Sequence, residues 1–157
     1  TVTKGAFNGS GVTFQAPEAF TLYEIYRTDD VDRVILHGPK DTSRYKPDIY
    51  VFLHREPLDL ERADADAEAD VAYIKDGLKG YNAILVAEEP TFVNGAPATR
   101  RVFFFHETRD FVRLLIRWHF NADGAGVTLD YCARAATRSI LEDTSALRAL
   151  AESVRIE

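Results

Sequence analysis

The chain has 157 residues, 46% of them hydrophobic and 28% charged, a balance that suits one domain with one core. Its net charge of −6 argues against a general nucleic-acid binder, which needs dense positive charge to displace counterions. No run of about 18 apolar residues predicts a membrane-spanning helix. Cys132 stands alone, which excludes an internal disulfide and a cysteine-cluster metal site.

The first segment predicts a hairpin. Asn8-Gly9-Ser10-Gly11 supplies turn residues, and Val12, Phe14 and Ala16 then alternate with other residues until Pro17. Leu22 to Tyr26 and Arg33 to His37 are two short strands divided by the acidic turn Asp29-Asp30. The stretch 38–48 is polar, carries two prolines and predicts a loop. Ile49 to Leu53 is continuously apolar and predicts an interior strand covered on both faces.

Residues 64–79 change period. Ala67, Val71, Ile74 and Leu78 recur at helical spacing, and Asp64, Asp66, Glu68 and Asp70 crowd the first turns, where carboxylates suit the helix dipole. Gly77 and Gly80 are the expected stops. Ala83 to Glu89 predicts another strand, with a turn at Asn94-Gly95. Residues 99–107 and 110–120 predict a strongly apolar hairpin. Asn121-Ala122-Asp123-Gly124 turns the chain into a last long strand, Val127 to Arg134. Ser139 precedes Glu142 by three residues, a capping box. Ile140, Thr144, Leu147, Ala151 and Val154 then predict a C-terminal helix over about 139–153.

A two-residue turn at Thr108-Arg109 would set Phe105 against Val112 and Phe103 against Leu114. One face of the hairpin then gathers Phe103, Phe105, Val112, Leu114, Ile116, Trp118 and Phe120. The other carries Val102, Phe104, His106, Phe111, Arg113, Leu115, Arg117 and His119. A loop one residue longer would swap the faces of one strand. The unequal faces predict a strand pair at the centre of a sheet covered on both sides, fully on one side and partly on the other.

Charge is unevenly spread. Residues 99–138 hold seven Arg against four acids, and residues 56–80 hold eight acids against three bases. The simplest expectation is that the acidic helix and the basic sheet surface partner each other. The sharper one is an electropositive groove that receives an acidic protein segment, with Arg101, Arg113, Arg117 and His119 as binding residues, since Arg among aromatics is an interface composition. Full neutralisation of Arg113 and Arg117 by the acidic helix would remove that face as a site.

Motifs for several chemistries are missing. There is no P-loop, no dinucleotide fingerprint at Gly124-Ala125-Gly126, and no nucleophile elbow around Ser10. His37, His54, His106 and His119 show no local chelating spacing, so no metal and no other cofactor is expected. No carboxylate pair stands out as a catalytic dyad, and no catalytic residue is assigned. Asn8-Gly9-Ser10 is a glycosylation sequon of the kind chance supplies.

The order of elements and three segments carry a resemblance. These are "FQAPEAFTL" from Phe14 to Leu22, "IYVFLHREPLDL" from Ile49 to Leu60, and "NGAPATRRVFFF" from Asn94 to Phe105. With the helix, Gly turn, strand and C-terminal helix around them, they resemble the Mog/PsbP-like superfamily, especially its DcrB-like and LpqN-like bacterial branches and the Eag chaperones of type VI secretion. The resemblance implies one α+β domain over residues 1–157. Its form would be an α/β/α sandwich of two main helices and a mostly antiparallel sheet of six to seven strands. It also implies a non-enzymatic, protein-binding role with no catalytic residues to carry over. The lipobox Cys of the lipoprotein branches is absent from the segment given.

The leading expectation is therefore a protein-binding adaptor or chaperone-like domain that docks a protein segment on its sheet or groove. The runner-up is a pocket for an anionic ligand or lipid, clamped by Arg113 and Arg117. A third is an enzyme with a dispersed site drawn from residues such as His119, Asp130 and Cys132, which predicts a cleft where a carboxylate meets a His. No signal peptide is expected in the chain as given, which favours the cytoplasm, or export if a leader precedes Thr1. An exposed edge strand would also support a homodimer.

Overall fold

The computed structural model describes residues 12–27, 31–40, 46–54, 56–61, 63–135 and 140–156. Asn8-Gly9-Ser10-Gly11, the Asp29-Asp30 turn and Ser139 of the capping box lie outside them. The elements in chain order are β1 (Val12–Thr13), β2 (Thr21–Arg27), β3 (Val31–His37), β4 (Asp48–His54), α1 (Ala63–Asp76), β5 (Tyr81–Val93), β6 (Ala96–Thr108), β7 (Phe111–Ala122), β8 (Ala125–Arg134), α2 (Ile140–Ser153) and β9 (Arg155–Ile156).

Seven strands form one sheet in the order β2-β3-β4-β8-β7-β6-β5, every neighbouring pair antiparallel. Helix α1 carries the chain from the interior strand β4 to the far edge at β5. A meander then runs back until β8 pairs with β4. Two tight turns drive that meander. Asn94 and Gly95 both have positive φ, as do Asp123 and Gly124. Paired positive φ at Asn-Gly and Asp-Gly is the two-residue hairpin whose twist matches the flanking strands.

The β6–β7 connection lacks such a dipeptide, and the expected register fails there. The turn is Arg109-Asp110, and a bulge between His106 and Thr108 takes up the extra residue. Phe105 therefore opposes Arg113, Phe103 opposes Leu115, and Arg101 opposes Arg117. The alternation assigned to β7 stands, but β6 is turned over. Phe103 and Phe105 join the Arg-bearing face, while Val102 and Phe104 join the apolar one. The centre of the sheet is β8, not the 99–120 hairpin, and β8 is buried along nearly its whole length.

Each face has its own helix. On the apolar face, α2 brings Leu147, Leu150 and Ala151 onto Leu36, Val51, Leu129, Ile116, Trp118 and Phe120. On the other, α1 brings Ile74 onto Phe103, Phe105, Leu115 and Cys132. The result is an α+β domain of α/β/α form. Strand β4 is interior as expected, but only alternate residues are buried, because Tyr50 and Phe52 lie under the thinner α1 layer. The expected strand Val12 to Ala16 shortens to β1, which pairs with the C-terminal β9 in a separate two-stranded sheet.

Helix α1 ends as its glycines predict. Gly77 N–H donates to the Tyr73 carbonyl and Gly80 N–H to the Ile74 carbonyl. Gly80 also sits where a Cβ would lie 2.3 Å from the Phe105 ring. Gly80→Ala should overpack this junction and cost about 1–3 kcal/mol, read as a lowered urea midpoint.

Candidate functional site

The α1 face of the sheet collects polar side chains by strand alternation. Arg101 comes from β6, Arg113, Arg117 and His119 from β7, Thr128 and Asp130 from β8, and His54 from β4. The residue that organises them belongs to the helix. Asp70 is only 2% exposed. Its Oδ1 accepts from Arg117 Nη1 at 2.9 Å and from His119 Nε2 at 2.9 Å, and its Oδ2 accepts from Arg101 Nη1 at 3.0 Å.

The cluster extends on both sides. Arg117 Nε donates to Asp130 Oδ1 at 2.8 Å, and its guanidinium lies 4.2 Å from the Tyr73 ring centre. Arg101 Nε donates to Glu88 Oε2 at 2.6 Å, which ties the helix to the edge strand β5. His119 Nδ1 lies 3.0 Å from Thr128 Oγ1, and that oxygen lies 2.9 Å from His54 Nε2. An ionised Asp70 only accepts, so His119 Nε2 carries a proton. The Thr128 hydroxyl donates to one imidazole and accepts from the other.

The electrostatics follow from burial and pairing. Burial pushes Asp70 up, but the hydrogen bond and charge of His119, with Arg117 and Arg101, outweigh it and hold the carboxyl below its ordinary value. Burial pushes Asp130 up to about 6 against the pull of Arg117 and His119. Among the described residues its Oδ2 has no hydrogen-bond partner. Burial, then the nearby His119 and Arg117, drives His54 down to about 4, so it is neutral at pH 7. Arg117 is held above its ordinary value because Asp130 and Asp70 outweigh its desolvation.

Of the four residues singled out in the sequence, Arg101, Arg117 and His119 meet at Asp70. Arg113 lies four residues along β7 from Arg117, about 13 Å away. Its Nη2 is 3.9 Å from Asp48 Oδ2 of β4, and its guanidinium stacks over Phe105 at 5.8 Å. Arg117 is thus neutralised in part by the acidic helix, and Arg113 faces a strand carboxylate. The expected partnership of acidic helix and basic sheet rests on Asp70, with Asp130 and Glu88 supplied by the sheet.

A cleft of about 180 Å3 opens beside this cluster, bordered by His54, Asp59, Asp70, Arg117, His119 and Thr128. A carboxylate and a His do meet there, and the carboxylate is Asp70 and not Asp130. Carboxylate, imidazole and hydroxyl stand in series, an arrangement that can pass a proton. Thr128 is 2% exposed, however, and its hydroxyl is held between two imidazoles. Cys132 is fully buried, and burial pushes its thiol up to about 12. It should resist alkylation in the folded protein at neutral pH and react only in denaturant, as read by thiol labelling.

The opposite feature lies at the sheet edge. Strand β5 spans 13 residues, pairs only with β6 among the described residues, and is exposed along most of its length. Tyr81, Ile84, Leu85, Val86 and Phe92 all present large apolar surface, Ile84 at 60% exposure. From Ala83 to Ala87 no charge interrupts the run. The other edge, β2, is shorter, and its exposed aromatics are engaged. Tyr23 packs against His37 at 4.1 Å, and Arg33 lies over Tyr26 at 5.1 Å. Sequence reasoning found the β5 strand but not its exposure. The signal was the uncharged run itself; on either side of it the strand carries the usual edge devices, Pro90 and register shifts at Tyr81/Ile84 and Leu85/Ala87.

No family model matches the sequence, and no curated protein matches it. Solved structures do. The PsbP protein of the cyanobacterium Synechocystis (CyanoP) superposes with a TM-score of 0.64 at 18% identity, over 94% of this chain and 87% of that one. The Saccharomyces cerevisiae Ran-binding protein Mog1p gives 0.58 at 10% identity, over 94% and 91%. LpqN of Mycobacterium tuberculosis, involved in cell envelope biogenesis, gives 0.51 at 13% identity, over 92% and 82%. The layers, the strand order and these superpositions agree: the chain has the fold of the Mog/PsbP-like superfamily, shared with its bacterial LpqN-like branch.

Proposed function

We propose that this domain is a protein-binding module that takes an extended segment of a partner onto strand β5. The observation that carries this reading is the exposed edge strand with its uncharged run from Ala83 to Ala87. An edge strand offers a row of free main-chain donors and acceptors, and an added strand satisfies them while covering the apolar side chains. The likeness to a Ran-binding protein supports protein binding on this fold. Arg101, Arg117 and His119 hold the helix over the opposite face and stiffen the sheet that presents the edge. Arg113 has a similar internal role at Asp48.

The test is selection of a displayed 12-residue peptide library against the full chain. Binding peptides should be lost on Ile84→Lys or Val86→Lys. Both sites are exposed, so the fold should keep its melting temperature. Binding indifferent to both variants would sink the reading.

A further inference from the structure

The edge has a cavity at one end, and the cavity says what kind of segment fits. About 340 Å3 opens between β5 and the β6–β7 hairpin, bordered by Asn82, Ile84, Phe104, His106, Val112 and Ala135. That volume lies at the low end of ligand-sized pockets, about 300–1,000 Å3. Its walls are mainly apolar. The register explains why it exists. Tyr81 pairs with His106 and Ile84 with Phe104, so one position of β5 is skipped. Asn82 within the bulge has a φ of 52°. The bulge bends the strand away and leaves Phe104 half-buried where an unbroken strand would cover it.

Charge marks the other end. Glu88 and Glu89 follow the apolar run, and their side chains are 35% and 54% exposed. Each meets an Arg of β6 through one carboxylate oxygen among the described residues. The whole chain carries an acid excess, with a net charge of −6. A segment with basic residues is steered toward such a surface, and like charge is turned away.

Resting on the edge-strand reading above, we infer that the partner segment carries a basic residue opposite Glu88-Glu89. Several residues later it carries one large apolar anchor that enters the cavity between Ile84 and Phe104. The segment runs antiparallel to β5, as every other pair in this sheet does. The main-chain ladder supplies general affinity, and the anchor and the basic residue supply the choice of partner.

The test uses the same peptide library on the 157-residue chain, with two cavity-filling variants, Val112→Trp and Ala135→Phe, each checked by melting temperature. Whichever of the two keeps its fold serves. Enriched peptides should share an aromatic or branched apolar residue preceded by Lys or Arg. Filling the cavity should weaken them about tenfold or more, as loss of a buried anchor does. Glu89→Gln, at the more exposed of the two carboxylates, should weaken them further at low salt and little at high salt, with its melting temperature checked in the same way. Peptides lost on Ile84→Lys but indifferent to the filled cavity, with no shared anchor, overturn this inference and leave the edge reading standing. No peptide that depends on Ile84 overturns both. Enrichment of acidic peptides contradicts the charge assignment.

Discussion

Asp70→Asn is expected to destabilise the domain by about 3–5 kcal/mol, a loss out of proportion to one exchanged atom. The carboxylate is nearly inaccessible and holds Arg101, Arg117 and His119 at once. An amide keeps one oxygen and turns its NH2 toward the donors the other oxygen served, either Arg101 or the pair Arg117 and His119. Two guanidinium groups would then lose a buried counter-charge while remaining under α1. Asp130 and Glu88 still neutralise one each, so loosening of α1 is expected before the sheet unfolds. Urea unfolding measures the total, and amide exchange across residues 67–76 locates it.

Trp118→Ala should cost a similar amount, about 3–5 kcal/mol, for an unrelated reason. Trp118 is fully buried on the apolar face, where its ring packs among Val51, Leu129 and Ile116 with Leu147 and Leu150 of α2. The Arg148 guanidinium lies 5.0 Å from it. Truncation leaves a cavity that the close-packed side chains around it fill only in part. Because the two sites lie on opposite faces and share no partner, the two costs should add within about 0.5 kcal/mol. Urea midpoints of the two single variants and the double variant check both points.

The titrating groups of the cluster give a pH signature. Asp70 is held below its unfolded value of 3.8, so its contribution is present above that value and is lost as pH falls through the folded one. His54 is depressed from 6.5 to about 4, so the folded state resists a proton that the unfolded state takes. Stability falls as pH drops through that window. Asp130 is raised from 3.8 to about 6 and works the other way, gaining stability as pH drops through nearly the same window. The wild type should change little between pH 6.5 and 4.5. His54→Asn leaves Asp130 unopposed, so its urea midpoint should rise on acidification over that interval.

Much of the fold was legible because the deciding signals are local. Asn94-Gly95 and Asp123-Gly124 fix two hairpins, and the helical spacing from Ala67 to Leu78 places α1. The β6–β7 register was not legible, since Thr108-Arg109-Asp110 carries no residue that demands positive φ. The bulge that resolves it depends on packing across the sheet. The inward face of α1 was misjudged for a related reason. Val71 fits the apolar pattern yet is exposed, while Asp70, assigned to the dipole, is buried. A charge turns inward only because Arg101, Arg117 and His119 await it on two other strands. Such an ion cluster has no short-range trace. The Arg residues were found as a group by alternation on β7. Their counter-ions at positions 70, 88 and 130 come from three separate elements, and His54 joins from a fourth.

On the proposed reading the Arg-bearing face is committed internally and β5 is the surface open to a partner. Amide chemical-shift mapping of the isotope-labelled full chain, titrated with a selected peptide, tests it most directly. Shifts are expected along residues 81–93 and at the cavity residues Phe104 and Val112, with little change at Asp70, Arg117 and His119. Shifts centred on α1 and the Arg117–His119 face, with β5 unmoved, would contradict it.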